Sequence, residues 1–191
     1  MKYLVGDIGN TLTKISLLNK NFNILKSYNI ETKKLYKKKN LEKYLDKIIN
    51  LDLNKKILFS SVVPYTFQKI KSYLEKKKFK ASEIKQLKIK NIIKTKVDNI
   101  KQVGSDRLAN AIGAYEKYKT NCLIIDFGTA TTFDIVKKPG VYDGGVIAPG
   151  INLSIYNLRK STALLPLLSL KSNAKTYGKN TKDALNAGFL W

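Results

Sequence analysis

The chain has 191 residues, and 43% of them are hydrophobic, which is enough to bury a core as one domain or as two small lobes. One cysteine, Cys122, and no histidine exclude an internal disulfide framework, a multi-cysteine metal site and acid–base catalysis by histidine. The net charge of +22 leaves nucleic-acid binding as a minority alternative, because all but Arg107 and Arg159 of the 36 cations are lysine, whereas bidentate recognition of phosphate or guanine favours arginine.

The N-terminal apolar stretch YLVGDIG predicts a buried strand. Asp7 interrupts it too early for a signal peptide or a membrane span, and a single cysteine is typical of a reducing compartment. We therefore expect a cytoplasmic protein that does not enter a membrane. KISLLN and FNILKSYNI predict two further strands, which would form a meander with the first.

The following segments predict helices that alternate with strands. Apolar residues at helical spacing predict a helix around residues 41–48 and another around residues 67–74, which Pro64 would start. KILFSSVV predicts a strand between them, and the alternation in LKIKNIIKTKV predicts one after them. A helix is then predicted from Ser105, and NCLIIDFG after it predicts the strand that begins the second lobe.

An Asp-x-Gly sequence follows an apolar strand twice, at Asp7 and at Asp126, and in both cases a threonine stands six residues after the aspartate. Glycine permits a tight turn whose backbone N–H groups approach a ligand, and a carboxylate at a strand end can hold a metal ion beside a polyphosphate. Either copy alone would be an ordinary hairpin turn. Their repetition in matching contexts favours two phosphate-binding hairpins that enclose a nucleotide.

Six motifs, in order along the chain, carry a resemblance to a known family. They are DIGNTLTK (residues 7–14), SSVVP (60–64), VGSDR (103–107), DFGTATTFD (126–134), GGVIAPG (144–150) and GKNT (178–181). Through them the whole chain resembles the type III pantothenate kinases, members of the acetate and sugar kinase, Hsp70 and actin superfamily. The resemblance implies an α/β fold of two similar actin-like ATPase (ribonuclease H-like) lobes, with mixed sheets flanked by helices. Residues 1–104 would form the first lobe and residues 105–191 the second.

The resemblance also implies an activity and its requirements. Such an enzyme uses ATP to phosphorylate pantothenate to 4'-phosphopantothenate, the first step of coenzyme A biosynthesis. It requires Mg²⁺ and a monovalent cation, K⁺ or NH₄⁺, and works as a homodimer. Because relatives continue past the position of Trp191, the resemblance further implies a truncated second lobe whose sheet leaves part of its apolar face uncovered.

Carried over residue by residue, the resemblance implies the following sites. The ATP-binding loop would consist of Asp7, which also lies near the divalent metal, and Ile8, Gly9, Asn10, Thr11, Leu12, Thr13 and Lys14. Thr129 would also contact ATP, and Asp126 would ligate the monovalent cation. Asp106 would be the base that accepts the proton of the pantothenate hydroxyl. The residues expected to contact pantothenate are Gly104, Ser105, Asp106, Arg107 and Thr181.

Physical chemistry supports two of these roles independently. Asp106 stands at the start of a predicted helix, where the helix dipole favours an ionised carboxylate. Arg107 offers a planar fork that suits the carboxylate of pantothenate, which lysine would recognise only as a point charge.

Several simpler interpretations stay open. Ser105 or Asp106 would cap a helix whatever the function, as would Asn180 or Thr181. Many relatives carry a tyrosine followed by Asn-Pro where this chain has Val97, Asn99 and Ile100, so that a contact with pantothenate would be lost. The alternative functions are a nucleotide-binding regulatory or inactive kinase-like module and, less favoured, a basic nucleic-acid-binding domain.

Overall fold

The computed structural model describes residues 1–49, 52–170 and 176–190 of the chain. Its first half forms a five-stranded mixed sheet in the order β3-β2-β1-β4-β5. The strands are β1 (Lys2–Ile8), β2 (Leu12–Leu18), β3 (Ile24–Glu31), β4 (Leu53–Ser61) and β5 (Lys80–Glu83). The predicted meander is confirmed, because β1, β2 and β3 pair antiparallel, whereas β4 runs parallel to β1 and to β5.

Two helices supply the apolar stripes that bury this sheet. They are α1 (Lys38–Ile49) and α2 (Pro64–Lys76), and Pro64 occupies the first turn of α2 as predicted. The buried stripe of α1 is Leu41, Tyr44, Leu45 and Ile48, and that of α2 includes Phe67, Ile70 and Leu74. Both stripes belong to one core cluster with residues of β1, β2 and β4. The helical spacing seen in the sequence therefore marks the core face of each helix.

The second half contains a four-stranded sheet in the order β6-β9-β8-β7. Its strands are β6 (Lys94–Thr95), β7 (Cys122–Phe127), β8 (Ala130–Lys137) and β9 (Val141–Pro149). The helices of this half are α3 (Ser105–Tyr118), α4 (Ile151–Lys160) and α5 (Thr181–Leu190). A second core cluster joins Leu108 and Ala111 of α3 to Val136 of β8 and Tyr142 of β9. Two mixed sheets with accompanying helices are the predicted fold class.

The strand predicted in LKIKNIIKTKV is wrong for most of its length. Within this segment, residues 87–97, the structure has a 3₁₀ turn at Ile89–Asn91, and only Lys94–Thr95 is a strand. The alternation misled because Ile89 and Ile93, which are both buried, share one face at a spacing of four residues in a strand as well as over a helical turn. β5 was not predicted, since its sequence KASE offers one apolar residue, Ala81.

Backbone contacts divide the chain into two compact units, one of Met1–Ile124 with Asp134–Gly144 and the other of Ile125–Phe133 with Gly145–Trp191. The lobe boundary after residue 104, which the resemblance implied, stays a prediction. In the second unit, apolar side chains are exposed at Phe127, Val146 and Ile147. Across the described ranges of the chain, no helix has the length and apolar character needed to cross a membrane.

Candidate functional site

The first Asp-x-Gly sequence forms a hairpin between β1 and β2. Asp7 pairs with Lys14 and Ile8 with Thr13 in the antiparallel register, and residues 9–11 make the turn. The Gly9 N–H closes the turn by donating to the Leu12 carbonyl at 3.0 Å. This hairpin was predicted, and the structure confirms it.

A hydroxyl network fixes the turn of this first hairpin. The Thr32 hydroxyl donates to the Gly9 carbonyl at 2.7 Å and lies 3.0 Å from the Thr13 hydroxyl, while the Thr32 N–H donates to the Thr11 carbonyl at 2.9 Å. Thr32 stands just beyond β3, so the third strand of the meander holds the turn between the first two. The third strand therefore holds the turn in place through hydrogen bonds within the first sheet.

The predicted ATP-binding loop divides into buried and exposed members. The side chains of Ile8 and Thr13 are fully buried, so these two residues could meet a nucleotide only through their backbone. Gly9 is half-buried, and the exposed members of the loop are Asp7, Asn10, Thr11, Leu12 and Lys14. The motif SSVVP lies next to this loop, because Ser60 of β4 pairs with Asp7 of β1 in the parallel register.

The motif VGSDR begins helix α3, where Gly104 is the N-cap residue and Ser105 is buried. The Asp106 carboxylate turns back over this end and accepts the Arg107 N–H at 2.8 Å. A Cβ atom at Gly104 would lie 2.4 Å from Asp106 Oδ1, so only glycine leaves room for the carboxylate in this position. The N-cap is therefore Gly104 and not Ser105 or Asp106, which the simpler interpretation expected. Asp106 satisfies one N–H of the first turn and remains half-exposed at the helix end.

Arg107 makes an ion pair that the sequence analysis missed. Its Nε donates to Asp134 Oδ1 at 2.9 Å, its Nη2 lies 2.7 Å from the same oxygen, and the Tyr142 hydroxyl donates to that oxygen at 2.6 Å. Burial alone would lower the pKa of the Arg107 guanidinium, but the hydrogen bond and charge of Asp134 outweigh it and raise this pKa. Burial, followed by the hydrogen bond to Asp134, raises the pKa of Tyr142 well above its usual range.

The sequence alone gives only a weak signal for this pair. Within strand β8 the residues 132, 134 and 136 share one face, and the structure buries Asp134 and Val136 on it, although Phe133 and Ile135 make the opposite face the more apolar one in the sequence. An aspartate at an inward position of a strand requires a cationic partner, and arginine is rare in this chain.

The second Asp-x-Gly sequence forms a hairpin between β7 and β8, again as predicted. Residues 128–129 make the turn, and the Gly128 N–H donates to the Ala130 carbonyl at 3.0 Å. Asp126 and Thr129 are exposed. The hairpin thus presents a carboxylate at a strand end and a hydroxyl in the turn.

The motif GGVIAPG ends against this second hairpin. The Gly150 N–H donates to the Thr129 carbonyl at 3.0 Å, and a Cβ atom at Gly150 would lie 2.3 Å from the Gly128 carbonyl oxygen. Only glycine permits this approach of two backbones, after which helix α4 begins. The motif therefore supports the turn that carries Thr129.

The motif GKNT begins helix α5 in the second unit. The Asn180 side chain accepts the Asp183 N–H at 2.9 Å, which confirms the predicted cap, and its amide donates to the Asp183 carboxylate at 3.0 Å. Thr181 is exposed and lines an apolar cavity of about 360 Å³ between α4 and α5.

Three further positions from the sequence analysis have structural roles. Val97 and Ile100 are half-buried against the second core cluster, and the Asn99 side chain accepts the Lys101 N–H at 3.0 Å. Asp143, to which no role was assigned, pairs with Lys137 at 2.5 Å and with Lys96 at 3.9 Å. A hydrogen bond from Lys137 lowers the pKa of Asp143 below its usual range.

The candidate cation ligands are carboxylates at strand ends. In the described part of the chain, no three His, Cys, Asp or Glu side chains cluster as a metal site. Asp7 and Asp126 are hard oxygen donors, and Mg²⁺ in phosphoryl-transfer sites is bound through one or two carboxylates together with the phosphates of the substrate. The donor chemistry of both residues therefore fits a cation that is shared with a nucleotide.

Comparison with known proteins decides the family. The model of the type III pantothenate kinase family matches residues 3–191. The chain belongs to this family. A type III pantothenate kinase from Pelagibacter ubique is 44% identical over 192 residues, covering 98% of this chain and 75% of the relative. A type III pantothenate kinase from Desulforapulum autotrophicum is 34% identical over 195 residues, covering 98% of this chain and 74% of the relative.

A solved structure extends the comparison to the fold of this pantothenate kinase family member. The activator of the 2-hydroxyisocaproyl-CoA dehydratase from Clostridium difficile, with bound ADPNP, covers 98% of this chain and 63% of its own, with a TM-score of 0.52 and 16% identity. At that identity the likeness concerns the fold alone. Together with the two mixed sheets, it confirms the predicted fold class.

Proposed function

We propose that this chain transfers the γ-phosphoryl group of ATP to the hydroxyl of pantothenate, yielding 4'-phosphopantothenate and ADP. The family supports the reaction, and the arrangement at the start of α3 is the observation that carries it. There, a carboxylate and a guanidinium stand on adjacent residues, Asp106 and Arg107, at a helix end that backbone and core packing fix.

In the proposed reaction the pantothenate hydroxyl oxygen forms a bond to the γ-phosphorus while the bond to the β-γ bridging oxygen breaks, and the hydroxyl proton passes to Asp106. Because the transition state of phosphoryl transfer is loose, the reaction asks mainly for positioning and for late acceptance of this proton. A half-exposed carboxylate at a helix N-terminus suits that role. Arg107 would hold the pantothenate carboxylate through bidentate hydrogen bonds.

Residues of the predicted ATP-binding motifs would bind the nucleotide and its cations. Residues 7–14 and Thr129 would contact the nucleotide, with Asp7 beside Mg²⁺ and Asp126 as a ligand of K⁺ or NH₄⁺. The cations would neutralise charge that develops on the phosphates. Thr181 would contact pantothenate. We further propose that the enzyme is a homodimer, which light scattering of the purified chain would test, and that it is cytoplasmic, which cell fractionation would test.

Release of ADP with and without pantothenate, in potassium and in sodium salts, tests the function. We expect pantothenate to raise ADP release several-fold in potassium. Asp106→Asn should lower turnover by roughly 10²- to 10⁴-fold, the usual contribution of a general base, and should leave the Kd of ATP unchanged. Asp52→Asn, the same substitution at an exposed residue before β4, is the matched control.

The alternatives predict different results in this assay and in binding measurements. ATP binding without any pantothenate-dependent ADP would refute the kinase and favour the regulatory module. Oligonucleotide binding that falls steeply with salt and that ATP does not reverse would favour the nucleic-acid-binding domain.

A further inference from the structure

Asp134 is a fully buried carboxylate with charged and phenolic partners on one oxygen. Arg107 Nε at 2.9 Å, Arg107 Nη2 at 2.7 Å and the Tyr142 hydroxyl at 2.6 Å all meet Asp134 Oδ1. All three residues belong to the same compact unit, on α3, β8 and β9. No motif in the sequence analysis gave Asp134 or Tyr142 a function.

Burying this ion pair costs hydration free energy, which suggests a role other than stabilising the fold. A buried ion pair often contributes no more to folding than apolar residues of the same volume would, because both charges lose their hydration. Arg107 keeps 13% of its side chain exposed, whereas Asp134 is fully buried. The guanidinium is therefore anchored to a buried carboxylate, while part of the Arg107 side chain stays accessible.

The geometry of the Arg107 guanidinium shows what its contact with Asp134 achieves. A guanidinium has five N–H donors in one plane, and Asp134 engages the edge formed by Nε and one Nη2 hydrogen. The other edge, formed by Nη1 and the second Nη2 hydrogen, has the spacing that a bidentate carboxylate ligand requires. Fixing the first edge therefore fixes the direction in which the second edge points.

We propose that Asp134 and Tyr142 are positioning residues that orient Arg107 toward the carboxylate of the acceptor substrate. This inference rests on the proposed function, in which Arg107 binds that carboxylate. Asp134 sets the plane of the guanidinium, and the Tyr142 hydroxyl fixes the oxygen that Arg107 contacts. Together they reduce the side-chain entropy that Arg107 loses when substrate binds.

The test compares Tyr142→Phe with the wild-type enzyme. Loss of one hydrogen bond to the anchoring carboxylate should raise the KM for pantothenate by about threefold to tenfold, equivalent to about 0.7–1.4 kcal/mol, with kcat changed less than twofold. Arg107→Lys should raise the same KM by roughly tenfold to a hundredfold. In the double variant the two effects should be less than additive, because both act through one guanidinium.

A matched control separates positioning from stability. Tyr44 also buries its ring and donates its hydroxyl, to the Tyr28 carbonyl at 2.6 Å, but it belongs to the other core cluster. Tyr44→Phe should lower the unfolding midpoint without changing the KM for pantothenate. If Tyr142→Phe behaves in the same way, its role is structural and the proposal is wrong.

A comparison of the acceptor pantothenate with its analogue pantothenol gives a second test. Pantothenol carries an alcohol in place of the carboxylate and keeps the reacting hydroxyl. We expect Tyr142→Phe and Asp134→Asn to weaken calorimetric binding of pantothenate and to leave the Kd of pantothenol unchanged. Equal weakening of both ligands would overturn the proposal.

The same measurements distinguish failure of this inference from failure of the proposed function. A wild-type chain that binds pantothenate but releases no additional ADP would refute the kinase and still test the anchor through binding. A wild-type chain that binds no pantothenate would refute both. If Asp134→Asn does not fold, Tyr142→Phe carries the test, since it removes one hydroxyl and leaves the ion pair in place.

Discussion

The two Asp-x-Gly hairpins follow one sequence pattern but are supported in different ways. The first joins β1 and β2, which are interior strands of their sheet, whereas the second includes β7, the edge strand of its sheet. The residue after the aspartate shows the contrast, because Ile8 is fully buried and Phe127 is 71% exposed. Residues at equivalent positions of a repeated motif can therefore differ widely in burial.

The supports of the two turns also differ in chemistry. Side-chain hydroxyls of Thr13 and Thr32 hold the first turn, and a close backbone contact from Gly150 holds the second. We infer that the first hairpin is sensitive to loss of hydrogen bonds and the second to added volume. The following substitutions test this difference.

The largest effect is expected when the carboxylate of each hairpin is neutralised. Under the proposed function, Asp7→Asn should lower kcat by at least about 100-fold, because a cation beside the phosphates contributes several kcal/mol to the transition state. Asp126→Asn should instead raise the potassium concentration needed for half-maximal rate. Steady-state kinetics with varied Mg²⁺ and K⁺ measure both, and an equal loss of kcat in the two variants would contradict the division of roles.

A large effect on stability is expected from volume added at the second hairpin. Gly150→Ala places a Cβ atom 2.3 Å from a backbone oxygen and 2.5 Å from another, and we expect a loss of about 3 kcal/mol in the unfolding free energy. Gly128→Ala is the matched control, since its nearest neighbour would lie 3.5 Å away, an ordinary contact. Urea unfolding measures both, and similar losses would contradict the backbone-contact model.

A smaller effect is expected from the hydroxyls of the first hairpin. Thr32→Val leaves the Gly9 carbonyl and the Thr13 hydroxyl without their partner and should cost about 2 kcal/mol, whereas Thr13→Val should cost about 1 kcal/mol. The double variant should lose less than the sum, because the shared hydrogen bond is then removed from both sides. Additive losses in a urea-unfolding cycle would show that the two hydroxyls act independently.

The smallest effect is expected outside both hairpins, at Asp143. Its pKa is lowered in the folded state, so its contribution is present above the unfolded pKa of about 3.9 and is lost as the pH falls through the lower folded value. Asp143→Asn should therefore reduce stability slightly at pH 7 and leave it unchanged in stronger acid. High salt should weaken the difference at pH 7, and a difference that grows toward acid would contradict this assignment.

The meander and the first helices could be predicted because burial and periodicity coincide in them. In β1 the side chains of Leu4 and Ile8 are buried, and in α1 the apolar stripe matches the core face. The segment around Ile89 could not be predicted, because its sequence alternates as in a strand although its backbone forms a 3₁₀ turn. β5 could not be predicted, since its formation depends on the free edge of β4 rather than on its own apolar residues.

The candidate site was predictable to a similar degree. Both turns and the helix that begins at Ser105 were predicted from local sequence, since glycine and capping residues act over a few positions. The pairing of Arg107 with Asp134 joins residues that are 27 positions apart and depends on the packing of α3 against β8. Spacing within a motif contains no information about such a contact.

The first turn of α3 links the proposed chemistry to the interior within four consecutive residues. Ser105 and Leu108 are almost completely buried, and Asp106 and Arg107 lie between them. Fraying of this turn would expose Leu108, so it should open only when the surrounding core opens. We expect the Leu108 amide proton, which is donated to the Gly104 carbonyl, to exchange with solvent as slowly as those of the central strands, and heat inactivation to coincide with melting rather than to precede it.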